Sequence, residues 1–339
     1  MEIIAKNQKQ YRANLHCHST LSDGKLTPKE LKEVYKKEGY SVLAITDHER
    51  PYDHSDMTDK DFLMLTGYEA YIRPSEFGIY DPYNREIHIN LLAKEPHNLS
   101  YVNYDPKYDK YTKDEKISAA YNKVGTTGAR KYCTEYVNDF VKSAKEAGYL
   151  CAYNHPAWSL ENYDTIRSYE GFFSMEICNF GSFGMGLNEY NGTLYDRLLI
   201  DGKELFCHSA DDNHNKYPIG HPSSDSFGGF TMILAKELTY PAVIDALQNG
   251  EFYSSMGPII KELTINGKEV TVKTTEAKQI TALFGGKKTL FLAGTKDNPV
   301  TEFSFAIPAG AKYLRINVRD FEGCYADTHA YKIEEICAE

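Results

Sequence analysis

The sequence predicts an α/β protein with a largely parallel sheet, open or closed into a barrel, followed by a small all-β, sandwich-like domain. Up to about residue 257, short apolar runs alternate with helical segments, which is typical of strands joined by helices. Beyond Gly257-Pro258 the apolar residues recur with period two between turn residues, which indicates antiparallel strands. At 339 residues the chain is long enough for both, and we place the domains at 1–258 and 259–339.

Local patterns define the elements of the first domain. A helix begins after Thr27, a plausible N-cap, because Pro28 suits the first helical position and Glu30 completes a capping box. Two later helices are each followed by a glycine, which is typical of a helix C-terminus. The helices are predicted over Thr27–Tyr40, Val137–Ala147 and Tyr240–Gln248. The strands are predicted over Tyr11–His16, Val42–Thr46, Phe62–Tyr68, Ile87–Leu92, Leu150–Tyr153, Ser174–Ile177, Leu205–His208 and Phe230–Ile233.

The tail reads as a series of short strands. Asn266-Gly267, between two alternating runs, is the strongest hairpin signal in the chain. The predicted strands are Glu262–Ile265, Glu269–Lys273, Thr289–Leu292, Glu302–Ile307, Lys312–Val318 and Ala330–Ile333.

Composition excludes several classes of protein. With 38 basic and 48 acidic side chains, the net charge is −10, which argues against a protein that forms a stable complex with nucleic acid. No run approaches the roughly 18 apolar residues that a membrane span needs, and the first residues lack a signal-peptide pattern. We therefore expect a cytoplasmic protein that does not enter a membrane, whereas composition leaves its oligomeric state open.

One long connection interrupts the alternation of strands and helices. From Asn98 to about Tyr132 the chain carries six tyrosines among polar residues. Connections of this length are often lids or binding loops. Disordered segments are usually poor in aromatic residues, so the composition favours an ordered loop.

Ionisable residues follow the first predicted strand. In an extended strand His16 and His18 share one face while Cys17 points to the other, so two imidazoles could hold one metal ion. Asp23 follows in a turn closed by Gly24 and could bring an oxygen ligand to the same place.

The same pattern, an apolar strand followed by ionisable residues, recurs along the chain. In parallel sheets, reactive groups gather where strands end, so side chains at successive strand ends should meet. For His88 taken alone, a buried, hydrogen-bonded imidazole fits the pattern as well as a metal ligand does. The further candidates are His48, Glu69, His88, His155, Asp212 and His214.

Collectively these motifs resemble those of the PHP (polymerase and histidinol phosphatase) superfamily of metal-dependent phosphoesterases, in a branch with a C-terminal β domain. The resemblance implies a distorted (β/α)7 barrel with two or three divalent ions of Zn, Mn or Fe. The motifs appear in order as His16-x-His18 with Asp23-Gly24, Thr46-Asp47-His48, Gly67-x-Glu69, His88, Asn154-His155-Pro156 and Asp212-x-His214.

The resemblance also implies how the ligands divide. Members often have histidine where this chain has Asp23, and the harder oxygen ligand favours Mn²⁺ or Fe²⁺ over Zn²⁺ at that site. Asp212 is assigned as the ligand because it lies two residues before His214, with Asp211 as a supporting neighbour. The implied sets are His16, His18, Glu69 and Asp212 for one ion, Glu69, His88 and His155 for a second, and Asp23, His48 and His214 for a third.

The implied activity is hydrolysis of a small phosphorylated metabolite or short nucleotide, with Glu69, Asp212 and His214 as catalytic residues. Two alternatives remain at this stage: hydrolysis of a carbon-centred bond, as in amidohydrolases, and a binding protein whose β tail recognises carbohydrate or protein. Glu176 is either a support for a ligand or a solvated carboxylate. Arg130, Lys131 or Lys94 could supply the positive charge that binds the phosphate group.

Overall fold

The computed structural model describes residues 1–75 and 79–337. Its strands are β1 (Glu2–Ile4), β2 (Tyr11–Asn14), β3 (Val42–Ile45), β4 (Leu63–Ile72), β5 (Ile87–Ala93), β6 (Ser100–Val102), β7 (Asn122–Val124), β8 (Tyr149–Tyr153), β9 (Ser174–Asn179), β10 (Phe206–Ala210), β11 (Phe230–Ile233), β12 (Phe252–Ser255), β13 (Ile260–Asn266), β14 (Glu269–Ala277), β15 (Gln279–Leu283), β16 (Thr289–Ala293), β17 (Val300–Ala306), β18 (Tyr313–Arg319), β19 (Tyr325–Asp327) and β20 (Tyr331–Lys332). Its helices are α1 (Pro28–Lys37), α2 (Glu115–Ala120), α3 (Thr134–Glu146), α4 (Tyr163–Ser168), α5 (Phe180–Gly184), α6 (Gly192–Ile200), α7 (Tyr240–Asn249) and α8 (Ile333–Ile336), with a short 3-10 turn at Ser55–Met57.

Seven strands form the barrel, in the order β2, β3, β4, β5, β8, β9, β10. Neighbours are parallel except that β5 runs antiparallel to both β4 and β8, and this reversed strand distorts the barrel. The barrel closes just beyond the ends of β2 and β10, where Asp212 N donates to His16 O at 2.9 Å and His18 N donates to Asn213 O at 3.0 Å. The predicted distorted barrel is confirmed, and its closure brings the first and last motifs together.

The predicted helices form for the expected reasons. Thr27 caps α1 in a complete capping box with Glu30, and the helix buries Leu31 and Tyr35. Helix α7 ends at Gly250, whose φ of 72° lies in the left-handed region that glycine tolerates. No helix within the described ranges is both long and apolar enough to cross a membrane.

The C-terminal region is β-rich, as predicted, and packs as two facing sheets. One has the order β1-β13-β14-β17, and the other contains β12, β19, β18, β15 and β16. The Asn266-Gly267 hairpin joins β13 to β14, with Asn266 opposite Glu269. Apolar residues from both sheets, among them Leu263, Val272, Ile280 and Ile316, share one core.

The two regions are connected by backbone pairing as well as by packing. The N-terminal strand β1 pairs with β13, and β11 and β12 extend the barrel sheet to β19. Buried Arg315 on β18 also contacts Asp327 at 2.5 Å and Asp196 of α6 at 2.8 Å. The boundary at 258 stays a prediction, and deletion of 259–339 would remove β19 and leave β12 paired with β11 alone.

The tyrosine-rich segment of residues 98–132 is ordered and carries β6, α2 and β7. Tyr101 and Tyr108 are buried within it. Arg130 forms a buried ion pair with Glu49, and Tyr101 OH donates to the same carboxylate at 2.8 Å. Because Glu49 directly follows His48, this ion pair fastens the segment beside the barrel mouth.

Candidate metal centre

All nine predicted ligands converge at the mouth of the barrel where β2 and β10 meet. Glu69 and His88 project from β4 and β5, whereas the others follow strand ends. Five of the nine are buried and four are partly exposed toward the opening. The structure therefore brings together His16, His18, Asp23, His48, Glu69, His88, His155, Asp212 and His214, while their role as ligands stays a prediction.

Glu69 occupies the centre of this group. Its Oε1 accepts a hydrogen bond from Asn154 Nδ2 at 2.7 Å, which orients the carboxylate. Five imidazoles surround it, so a carboxylate bridging two cations fits this position. The nearest ring nitrogens are those of His48 at 2.9 Å and His18 at 3.5 Å from Oε2, and of His88 at 3.1 Å, His16 at 3.2 Å and His155 at 3.3 Å from Oε1.

Asp212 faces the two histidines of the first motif. Its Oδ1 lies 3.1 Å from His16 Nε2 and 3.0 Å from His18 Nε2. The backbone at Asp212 has a φ of 51°, a strained conformation that directs its side chain inward while Asp211 points elsewhere. Gly181 packs so closely against this turn that a Cβ at this position would lie 2.9 Å from the carbonyl oxygens of Asp211 and Asp212.

Asp23 approaches from the opposite side. Its Oδ1 lies 3.4 Å from His214 Nε2 and 3.8 Å from His48 Nε2. The turn reaches this position because Gly24 packs on the preceding backbone, where a Cβ would be 2.3 Å from His18 O. His214 Nδ1 lies 3.1 Å from Asp212 O, which leaves Nε2 to face the cluster.

Donor atoms from seven of the nine residues form three overlapping groups, which do not include His155 or Asp212. Within each group they lie within 4.8 Å of one another. Glu69 is shared by two groups, as the family resemblance implies, but His18 and His48 are each shared by two groups as well, which differs from the implied division. The groups are His18, Asp23, His48 and His214; His16, His18 and Glu69; and His48, Glu69 and His88.

The chemistry of these groups fits divalent ions. In the described part of the chain, buried His88 Nε2 has no hydrogen-bond partner, and buried Glu69 Oε2 and His48 Nδ1 form no hydrogen bond although they lie 2.9 Å apart. The Nε2 atoms of His16 and His18 face each other at 3.2 Å, a contact that needs a proton or a cation between the lone pairs. Mixed imidazole and carboxylate donors suit Zn, Mn or Fe.

Protonation states differ across the cluster. Burial, together with His214 and His48, lowers the pKa of His18 to about 4, so its imidazole is neutral at pH 7. Burial alone would raise the pKa of Glu69 and of Asp212, but the surrounding histidines hold both well below the usual range. Burial likewise opposes protonation of His214, yet Asp23 and Asp212 raise its pKa to about 9, so an incoming cation must displace that proton.

Glu176 contacts several of the predicted ligands and is not a solvated carboxylate. It is fully buried and lies 2.7 Å from His16 Nδ1, and it accepts hydrogen bonds from His155 N at 2.8 Å and Asn179 Nδ2 at 3.0 Å. Asn179 also donates to Asp212 Oδ2 at 3.1 Å. Such carboxylate–histidine contacts fix the orientation of metal-binding imidazoles.

Asp211 does not play the supporting role that the sequence predicted. It accepts hydrogen bonds from Tyr35 OH at 2.6 Å and from the backbone N–H groups of Phe227, Gly228 and Gly229. It therefore anchors the loop before β11. Burial raises the pKa of its carboxyl to about 6.

A cavity of about 430 Å³ opens over the cluster. Arg73, Lys110 and Lys216 line it, whereas Arg130 is committed to Glu49. Lys131 and Lys94 are also absent from the described lining, so this predicted source of positive charge was wrong. The aromatic lining residues include Tyr71, Tyr111, Trp158 and Tyr217.

A family model described as the PHP domain matches residues 14–187, which is just over half of the chain. The chain belongs to the PHP family. The match covers the motifs from His16 to His155 and ends before Asp212 and His214.

Several solved structures are similar over much of the chain. A two-domain protein from Bacteroides vulgatus containing a predicted PHP-like metal-dependent phosphoesterase shares 15% identity at a TM-score of 0.45, covering 96% of this chain and 98% of its own. A candidate metal-dependent phosphoesterase from Bifidobacterium adolescentis shares 16% identity at a TM-score of 0.38, covering 62% and 91%. An amidohydrolase from Chromobacterium violaceum with bound sulfate and no metal shares 16% at 0.39, covering 60% and 87%. No curated protein matches.

Proposed function

We propose that the protein is a metal-dependent phosphoesterase that hydrolyses a small phosphorylated metabolite or a short nucleotide. The observation that carries the proposal is that five imidazoles surround the Glu69 carboxylate. This group lies beneath a cavity that is lined by basic side chains. Membership of the PHP family supports the same chemistry.

The charge of the protein favours a site with its own positive field. A net charge of −10 repels a phosphate ester at long range. Divalent ions bound to the cluster would neutralise the phosphoryl group and activate a water molecule. Lys110 and Lys216 add positive charge along the cavity wall, where the rest of an anionic substrate would lie, whereas the charge of Arg73 is paired with Glu86.

The proposed catalytic residues are held in defined orientations. Asn154 orients Glu69, Asn179 orients Asp212, and the backbone oxygen of Asp212 faces His214 Nδ1. Because these contacts fix the three side chains, their remaining donor atoms already face the space between the predicted ligands. Little reorganisation of the side chains is then needed when an ion binds.

The size of the cavity limits the substrate. About 430 Å³ lies within the range of small-molecule sites, roughly 300–1,000 Å³. A metabolite or a mononucleotide fits such a space, and the acidic surface disfavours a stable complex with long nucleic acids.

The test is phosphate release from a panel of phosphomonoesters and phosphodiesters, with carboxylate esters and amides included. Metal-free protein is assayed with added Mn²⁺, Zn²⁺ or Fe²⁺, and with chelator. We expect release that depends on metal, is lost in His16→Asn and Asp212→Asn, and is retained in His97→Asn, a control whose side chain is 77% exposed.

Two outcomes would contradict the proposal. One is the absence of chelator-sensitive release from every phosphate ester. The other is metal-dependent cleavage of esters or amides alone, which would favour amidohydrolase chemistry.

A further inference from the structure

His88 turns its two ring nitrogens toward two different carboxylates. Its Nδ1 lies 3.1 Å from Glu69 Oε1 at the centre of the cluster, and its Nε2 lies 3.6 Å from Glu86 Oε1. His88 and Glu86 are each only 4% exposed. Since Nε2 has no hydrogen-bond partner in the described ranges, Glu86 is the acceptor that faces it.

Glu86 is held from its other side by Arg73. The Nε of Arg73 contacts Glu86 Oε2, and its guanidinium lies over the ring of Tyr71, 3.9 Å from the centroid. The backbone N–H of Glu86 donates to Ser159 O at 3.1 Å. Arg73, Glu86 and His88 thus form a continuous row from the cavity wall to Glu69.

A row of this kind can fix the tautomer of a metal-binding imidazole. The nitrogen that binds the ion must be unprotonated, so the other nitrogen carries the proton and needs an acceptor. A carboxylate acceptor fixes the tautomer and strengthens the ligand. His16 has such a partner in Glu176 at 2.7 Å, whereas His155 Nδ1 forms a hydrogen bond with Ser159 Oγ at 3.3 Å.

We propose that Glu86 is a positioning residue for the metal centre. It holds His88 with the proton on Nε2, so that Nδ1 is presented to a divalent ion beside Glu69, and Arg73 keeps Glu86 in place from the cavity wall. The inference rests on the metal-dependent function proposed above. None of the sequence motifs includes Arg73 or Glu86.

The first test is titration of metal-free protein with Mn²⁺, with free Mn²⁺ followed by electron paramagnetic resonance. Glu86→Gln is expected to weaken the binding of one ion by about 10–100-fold. The matched control is Glu161→Gln, which removes a half-buried carboxylate that accepts hydrogen bonds from Tyr132 OH at 2.7 Å and Tyr153 OH at 2.8 Å. This control should bind Mn²⁺ like the wild type.

The second test needs no folded variant at Glu86. Nitrogen-15 NMR of histidine-labelled, Zn²⁺-loaded wild-type protein should show His88 protonated at Nε2. A proton on Nδ1, or Mn²⁺ affinity in Glu86→Gln equal to that of the wild type, would overturn the positioning role alone. A wild-type protein that takes up no ion would overturn the proposed function as well.

Discussion

Replacing Arg130 with methionine is expected to destabilise the protein by about 3–5 kcal/mol. The guanidinium pairs with the Glu49 carboxylate through Nη1 and through Nη2 at 2.9 Å, and both side chains are at most 1% exposed. The variant would leave Glu49 buried, with Tyr101 OH and Tyr71 N as its remaining hydrogen-bond donors. An uncompensated charge in this position costs far more than a lost surface ion pair.

A double variant distinguishes the cost of losing the Arg130–Glu49 ion pair from the cost of leaving the Glu49 charge buried without a partner. Arg130→Met/Glu49→Gln removes both charges, so it should be more stable than Arg130→Met alone, even though it carries one more substitution. The predicted loss in the single variant is a large share of the roughly 5–15 kcal/mol that stabilises a typical domain. The two substitutions should therefore be strongly non-additive.

The assay is urea unfolding of metal-free protein, followed by circular dichroism for the wild type, both single variants and the double variant. A loss below about 1 kcal/mol in Arg130→Met, the range of a surface pair, would refute the reasoning. So would a double variant whose loss equals the sum of the two single losses.

Further predictions concern the site and the pH dependence of stability. Trp158, the only tryptophan, has its ring 4.7 Å from that of His155, so Mn²⁺ should quench the protein's fluorescence, and a titration without quenching would contradict the predicted ligand. Gly181→Ala should weaken Mn²⁺ binding, because the added Cβ meets the carbonyl oxygens that set the Asp212 turn, and unchanged affinity by the same titration would refute this. Burial lowers the pKa of His329 to about 4, so the unfolded chain takes up a proton near pH 6.5 before the folded one does. The free energy of unfolding should fall by at most about 3 kcal/mol from this group as pH drops from 6.5 to 4, and denaturant unfolding across that range should show a weaker dependence in His329→Gln.

The ligand-bearing strands could be predicted because their signals are local. His16-x-His18 and Asp212-x-His214 each combine an apolar run with ionisable residues at its end, and that pattern depends on few neighbours. The spacing to His214 selected Asp212, and the structure places Asp212 beside His18 while Asp211 binds the loop before β11; the role of Asp212 as a ligand stays a prediction.

The cavity wall could not be predicted in the same way. Arg73 directly follows the apolar strand β4 and Lys216 lies in a polar stretch, and only the packed barrel places both beside the cluster. The pairing of β1 with β13 likewise joins segments some 260 residues apart, for which no local pattern exists. Arg130 was misassigned because a lone arginine in a polar segment gives no sign of a buried partner.

Barrel closure between the residues after β2 and those after β10 has a consequence for biosynthesis. About 200 residues separate His16 from Asp212, and at 5–20 residues per second the ribosome needs roughly 10–40 s to deliver the second after the first. A nascent chain therefore exposes a histidine pair long before the carboxylate that completes its surroundings. Ion uptake at full affinity would then wait for the last barrel strand, so a loaded centre would mark a barrel that has closed.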